Sequence, residues 1–365
     1  LEDLVSDAFW SGRRVFLTGH TGFKGSWLAL WLARMGAQVT GFALPAEDPS
    51  LFRMAGVEAV VTHVEGDIRD LAAVEAAMAQ CDPEVVFHLA AQPLVRESYR
   101  TPVETFATNV QGTVHVLDAC RRAPSLKAIV CVTSDKCYEN NEWVWPYREA
   151  DPMGGHDPYS ASKGAAELVI AAYRRSFFDA EQGGPLLASV RAGNVIGGGD
   201  WAKDRLIPDI VRALAAGEAP LIRAPGAIRP WQHVLEALGG YLLIAGRLLE
   251  RREWAATAWN FGPADSDVQP VGWIADRLTA QWGAPGWERG KEAGPHEANI
   301  LKLDCAKARS VLGWKPALTL GDALSMIVAW HRPIAQGADA RKITYSQLDD
   351  YRYRFQAALA GADIA

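Results

Sequence analysis

The sequence predicts an α/β fold, a doubly wound parallel sheet with a smaller C-terminal domain. Three observations predict it. Short apolar runs alternate with helical patterns over the first half of the chain, the signature of parallel strands joined by helical crossovers. A Gly-rich turn follows the first run and opens a helix. Beyond about Gly193 the alternation loosens, broken by Gly197-Gly198-Gly199 and by Pro208, Pro220, Pro225 and Pro230.

In order, Arg13–Thr18 reads as a short buried strand, followed by the turn Gly19-His20-Thr21-Gly22-Phe23-Lys24-Gly25. A helix is expected from about Ser26 to Met35, ended by Gly36, and the next strand from Gln38 to Leu44. Further strands are expected at Ala59–Val64, Val85–Leu89, Ala128–Thr133 and Leu187–Ala192. Asp157 is a good N-cap and Pro158 suits the first helical position, so a helix starts there. Near the end, Asp304 is expected to cap a short helix stopped by Gly313 and Pro316, and the last ~15 residues to fray.

The 365 residues, 49% of them hydrophobic, suffice for one large α/β unit or two closely joined domains. The net charge is −6 and no long basic run occurs, so no nucleic-acid partner is expected. An anionic substrate then needs a few local arginines rather than a global field. The five cysteines, Cys81, Cys120, Cys131, Cys137 and Cys305, show no Cys-x-x-Cys or Cys/His ligand spacing. Reduced thiols, no metal site and a cytoplasmic location are therefore expected. LEDLVSDAFW lacks a charged start before a long apolar core, so no signal peptide is expected, and no apolar run is long enough to enter a membrane.

Glycines 19, 22 and 25 let the backbone pass close to a pyrophosphate, and the following helix aims its free N–H groups at the same charge. Where an acidic residue would hold an adenosine ribose, the chain reads Gly41-Phe42-Ala43-Leu44-Pro45, with Glu47 and Asp48 slightly late. Lys24 is open to two readings, a phosphate contact or a solvated helix-start lysine. Asp67, followed by Ile68, suits an adenine amine, though Asp67 or Asp70 also suits a helix cap. After the fourth strand, Leu89-Ala90-Ala91-Gln92 allows close approach of a cofactor, and His88 is expected to be structural.

Tyr159 and Lys163 are four residues apart and share a helix face. A free tyrosine ionises near pH ~10, and bringing it to ~7 takes ~4 kcal/mol of differential stabilisation, which a nearby ammonium and an oxidised nicotinamide favour. Ser134 follows the fifth strand and suits a hydrogen bond to the same substrate hydroxyl. Asp135 and Lys136 supply an acid and a base in tandem. Cys137 beside them reads as a packing thiol rather than a reactive one.

With these residues in view, the chain resembles the extended short-chain dehydrogenase/reductases that modify nucleotide sugars. The resemblance runs from Thr18-Gly19 through His88–Gln92, Asn109 and Tyr159-x-x-x-Lys163 to Arg191-Ala192-Gly193-Asn194 and Leu312-Gly313-Trp314. It is strongest to the 4,6-dehydratases at Thr18–Trp27, Ser134–Tyr138 and Arg229-Pro230-Trp231-Gln232-His233-Val234. Other members carry Asp-Glu or Ser-Glu at Asp135-Lys136, and this departure implies CDP-glucose as the substrate. The resemblance implies a Rossmann-type NAD-binding domain at 1–190 plus about 233–262, and a nucleotide-sugar domain at about 191–232 and 263–365. It implies NAD held by residues 19–25, Asp67, Ile68, 89–92, Asn109, Tyr159 and Lys163. Asn194, Arg205, Arg229 and His233 are the implied substrate contacts, with a surface salt bridge as the other reading of Arg205.

The implied reaction oxidises carbon 4, eliminates water across carbons 5 and 6, and returns the hydride to carbon 6. Tyr159, Lys163 and Ser134 serve the first step. Lys136, as a neutral amine, takes the carbon-5 proton, and Asp135, with a raised pKa, protonates the departing hydroxyl. A 4-epimerase or reductase would leave Asp135 and Lys136 idle, and a 4,6-dehydratase of another nucleotide sugar also stays open. A non-enzymatic dinucleotide-binding protein would not need the tyrosine–lysine pair. A homodimer is implied, through the helix near Asn109–Cys120 and the helix after Tyr159, where Ala161, Ala165, Ala166, Val169 and Ala172 form a small-residue face, with packing on the sheet as the other reading of that face.

Overall fold

The computed structural model describes residues 1–178, 183–290 and 300–361. Seven parallel strands form the sheet: β1 (Arg14–Thr18), β2 (Gln38–Ala43), β3 (Thr62–Glu65), β4 (Val85–His88), β5 (Ala128–Val132), β6 (Leu186–Ala192) and β7 (Ala258–Phe261). Their order is β7-β6-β5-β4-β1-β2-β3. The doubly wound parallel sheet expected from the sequence is therefore present.

Strand residues alternate between two apolar layers. Val15, Leu17, Val85, Phe87, Val130 and Val190 face one, while Phe16, Val86, Ile129, Cys131 and Leu187 face the other. Both faces are covered, so the strands are nearly all apolar, and each fully buried large side chain contributes ~1.5–3 kcal/mol. The first layer holds α1 (Phe23–Arg34) and, later in the chain, Val234–Leu249. The second holds α2 (Leu71–Cys81), α3 (Gly112–Cys120) and α4 (Pro158–Ser176). A third cluster unites α5 (Leu206–Ala215), α7 (Val271–Trp282) and α8 (Leu320–Ile334), and Val234–Leu249 is α6. The chain leaves the sheet after β6, pairs Val195–Ile196 with Gln232–His233, and returns through α6 to β7.

Several local expectations shift. The first helix starts at Phe23, with Gly22 as N-cap, because the turn itself feeds the helix. Val57–Val60 is a 3-10 turn entered through Gly56 at φ +57, and only Thr62–Glu65 is strand. Cys305, not Asp304, is the N-cap of Ala306–Ser310; Asp304 accepts from the Ala306 amide at 2.7 Å from one residue earlier. The C-terminus does not fray over the described residues. Helix α9 (Ala340–Ala360) runs to residue 360 because Tyr351, Phe355 and Leu359 are buried. Ala166 faces the core at 2% exposure, so it leaves the proposed small-residue face, whereas Ala172 is exposed and Ala161 and Ala165 are half-buried. All five cysteines are free thiols. Among the described residues, no helix is long and apolar enough to cross a membrane.

Candidate functional site

Strand β1 pairs with β2 on one side and β4 on the other, so the strand order reverses there. The loops leaving β1, β4, β5 and β6 carry Gly19, Leu89, Ser134 and Asn194 to the same end of the sheet, where open α/β sheets bind ligands.

The turn after β1 is a backbone cradle. Gly19 lies at φ +78, and a Cβ there would sit 2.7 Å from the Ala90 nitrogen. A Cβ on Gly25 would sit 2.1 Å from the Gly19 carbonyl oxygen. Helix α1 has no side-chain cap at Gly22, which leaves its first amides for an anion. Thr18 Oγ1 accepts from the Leu89 and Ala90 amides, each at 3.1 Å, joining the two loops. The residues present therefore fit a dinucleotide. His88 is bonded to Thr18 and Thr113 at 2.8 and 3.1 Å and pushed by burial down to about 3, a satisfied structural histidine.

The turn's side chains divide. Thr21 Oγ1 donates to the Leu44 carbonyl at 3.0 Å. The His20 ring folds under the turn against Gly41 and meets His63 at 2.7 Å; burial, then His63, pushes it down to about 4. Phe23 packs towards Gly197. Lys24 is half-buried. Its Nζ runs inward to the Tyr241 hydroxyl at 3.4 Å and is pushed down to about 7 by burial, then by Lys163 and Arg205.

Asp67 is held below the ordinary carboxylate range by its bonds to Arg69, while Asp70 caps α2 through the Ala73 amide. Ile68 is buried, and its carbonyl pairs with His115 Nδ1 at 3.0 Å. Asn109 sits in a π-helical turn, Ala107–Gln111, at 2% exposure. Its amide bonds both the N–H and C=O of Gln92, at 2.8 and 3.1 Å, and Ser162 Oγ at 2.8 Å. It therefore ties the Leu89–Gln92 loop to α4. Ala91 lies half-buried in that loop.

Ser134 caps the 3-10 turn Asp135–Cys137, accepting from the Lys136 amide at 3.2 Å. It donates to Asp135 Oδ1 at 2.9 Å. Asp135 is 2% exposed, and burial raises its pKa against the pull of Lys136, Ser134 and Arg229. Its Oδ2 is buried and has no protein partner. Lys136 is half-buried beside it.

Tyr159 and Lys163 lie on α4, which Asp157 caps as expected by accepting from the Ser160 amide. Burial pushes Tyr159 up to about 12, and Ser134 and Arg205 only partly offset this. The expected lowering by Lys163 does not appear. Burial also drives Lys163 down to about 8, opposed by Cys137, Glu167 and Cys131. The Cys137 thiol is buried and pushed well up, a packing thiol.

Asn194 is half-buried, its carbonyl accepting from the Gln232 amide at 3.0 Å. Arg205 pairs with the buried Asp200 at 3.0 Å, yet it also acts electrostatically on Tyr159 and Lys24. Arg229 is 8% exposed, donates to its neighbour Ile228 at 2.9 Å and acts on Asp135. His233, an expected substrate contact, is 1% exposed, accepts from the Leu235 amide as N-cap of α6 and packs edge-on against Trp27, with its Nε2 buried and without a hydrogen-bond partner.

Sequence reading gave no role to Glu167, to Asp200, or to Arg191, which it named only within Arg191-Ala192-Gly193-Asn194. Glu167 had a signal: it continues the four-residue spacing of Tyr159 and Lys163. Asp200 carries no comparable local pattern.

A family profile described as "NAD dependent epimerase/dehydratase family" matches residues 15–254. CDP-glucose 4,6-dehydratase of Salmonella typhimurium is 52% identical over 353 residues, covering 95% of this chain and 98% of that one. The solved dTDP-glucose 4,6-dehydratase from Streptomyces venezuelae, with NAD and TYD bound, superposes with a TM-score of 0.76 at 24% identity, covering 88% of this chain and 97% of that one. UDP-glucose 4-epimerase from Thermotoga maritima gives a TM-score of 0.75 at 22% identity over 88% of this chain and 99% of that one. Dehydratase and epimerase thus share this backbone, and the side chains must separate them.

Proposed function

Given that the chain belongs to the NAD dependent epimerase/dehydratase family, we propose that it is an NAD-dependent CDP-glucose 4,6-dehydratase. The observation that carries this reading is Asp135: a buried carboxyl with raised pKa, bonded to Ser134 through one oxygen and unpartnered at the other. A 4-epimerase needs no such acid.

Bound NAD supplies the hydride acceptor at carbon 4 and the donor at carbon 6. Tyr159, as its phenolate, takes the proton of the 4-hydroxyl, with Lys163 one helical turn behind. The 4-ketone acidifies the carbon-5 hydrogen, which Lys136 removes as a proton. Asp135 gives its proton to the 6-hydroxyl, which leaves as water. Lys136 then returns a proton to carbon 5 as hydride reaches carbon 6. The sum is loss of one water and no net redox change. The turn at 19–25 with Asp67, Ile68, 89–92 and Asn109 would hold the cofactor. Asn194, Arg205 and Arg229 are the proposed substrate contacts, the arginines suiting a diphosphate.

We assign cofactor binding to 1–190 with about 233–262, and nucleotide-sugar binding to about 191–232 with 263–365. A homodimer is supported by the exposed Leu168 and Ala172 on α4 and by Val103 and Phe106, at 75% and 40% exposure, on adjoining turns. Five free thiols support a reducing, cytoplasmic setting.

Incubation with CDP-, dTDP-, GDP- and UDP-glucose tests the reading. A product one water lighter from CDP-glucose is expected; epimerised sugar with no mass change would replace it with the epimerase. Asp135→Asn and Lys136→Met should still reduce bound NAD but slow product release of water by ~10²–10⁴-fold each.

A further inference from the structure

Glu167 lies one turn beyond Lys163 on α4, at 4% exposure, on the same face as Tyr159 and Lys163. Its carboxylate accepts four hydrogen bonds. Arg191 supplies two, Nε at 2.9 Å and Nη2 at 2.8 Å. Ser189 Oγ gives a third at 2.9 Å and Thr133 Oγ1 a fourth at 2.5 Å. Thr133 immediately precedes Ser134. The remaining guanidinium nitrogen of Arg191 donates to the Tyr138 hydroxyl at 2.7 Å and to the Glu149 carbonyl at 3.1 Å. Tyr138 immediately follows Cys137 and ends the turn. Its hydroxyl donates in turn to Asn260 on β7, at 2.7 Å.

One carboxylate thus reaches both ends of the segment carrying Ser134, Asp135 and Lys136, directly through Thr133 and through Arg191 to Tyr138. The same carboxylate grows from the helix carrying Tyr159 and Lys163. Gly164 completes the contact: a Cβ there would stand 3.1 Å from the Cys137 carbonyl oxygen, so helix and turn touch backbone to backbone.

We propose that Glu167 is a positioning residue that, through Thr133 and Arg191–Tyr138, holds the Asp135-Lys136 turn in register with Tyr159 and Lys163. This rests on the dehydratase reading. The oxidation at carbon 4 needs the helix and, from the clamped segment, only its first residue, Ser134. Elimination across carbons 5 and 6 needs the turn to stay aligned on the sugar that the helix has just oxidised. Misplacement of reacting groups by ~1 Å costs ~10²-fold in rate. Elimination therefore suffers more than oxidation when the clamp loosens.

Glu167→Gln would strand the Arg191 charge in the interior and endanger folding, so the test uses Thr133→Val and Tyr138→Phe, which leave the ion pair intact. Each is loaded with NAD and mixed with CDP-glucose, and bound-NAD reduction is followed beside water loss by mass and carbon-5 exchange with deuterium. Water loss and exchange should fall ~10-fold or more while NAD reduction stays within about threefold. The reduced cofactor should accumulate, and Thr133→Ser, which restores the hydroxyl, should recover the parental partition. Parental partition in both folded variants would overturn the clamp. Equal loss of both steps without rescue by Thr133→Ser would also overturn it, as a structural role. A parent chain that reduces NAD but releases no water removes the dehydratase reading and the clamp together; parental water loss with unaffected variants removes the clamp alone.

Discussion

Two glutamates buried on opposite faces of the sheet have met opposite fates. Glu167 on α4 and Glu236 on α6 are 4% and 2% exposed. Burial pushes both pKa values up. At Glu167 the Arg191 hydrogen bonds and charge outweigh it, and the pKa ends below the ordinary value. At Glu236 burial wins and the pKa rises to about 8. Its bonds come from the Ala317 and Leu318 amides at 2.8 and 2.6 Å and from the Tyr351 hydroxyl at 3.2 Å, all neutral donors. Neutral dipoles satisfy the hydrogen-bonding capacity of a carboxyl but do not replace the solvation of a charge; a cation does. The ionised glutamate adjoins the candidate acid–base groups. The protonated one joins α6 to the segment before α8 and to α9.

The largest test of that contrast removes the cation. Arg191→Met leaves Glu167 buried without its partner and should cost ~3–5 kcal/mol of stability in urea denaturation at neutral pH. A loss under ~1 kcal/mol would mean that Glu167 takes up a proton at little cost, as Glu236 does.

The second test is pH. The folded value of Glu236, about 8, lies above its ordinary 4.5, so between them the unfolded chain binds fewer protons. Its contribution is fully present below 4.5 and is lost as pH rises through about 8. The parent should lose more stability between pH ~6 and ~9 than Glu236→Gln, whose amide cannot ionise. Parallel melting curves for the two proteins across that range would acquit Glu236.

The smallest test compares two tyrosines. Tyr351→Phe and Tyr138→Phe each remove a buried hydroxyl and should each cost ~1 kcal/mol in thermal melts. Only Tyr138→Phe should shift the balance between NAD reduction and water loss. Equal kinetic effects would place both glutamates in the same structural role.

Tyr159 and Lys163 were legible because a four-residue spacing is a local property, and so were the strands that are apolar on both faces; Thr62–Glu65, exposed at both ends, was expected three residues early, and Ala258–Phe261 was not read as a strand. The Asp157–Pro158 helix start was legible for the same reason. The ends of elements were less so: an Asp beside a Cys at 304–305 offers two cap positions, and sequence alone does not rank them. The site was legible as residue types and illegible as partners. Lys24 reads as a phosphate contact or as a solvated helix-start lysine until Tyr241, on a helix more than two hundred positions away, is found beside it. Arg205 reads as either a salt bridge or a ligand contact, and the fold pairs it with the buried Asp200.

The sequence by itself determined the alternation of strands and helices, the glycine turn and the chemical identity of the acid–base groups, because short-range sterics and hydrophobic periodicity set them. Only the tertiary structure decided their charge states and their mutual register. A buried group's protonation depends on which long-range neighbour reaches it. The turn at Ser134 and the helix at Tyr159 meet because Glu167 and Arg191, twenty-four positions apart, close a hydrogen-bond network that no local pattern encodes.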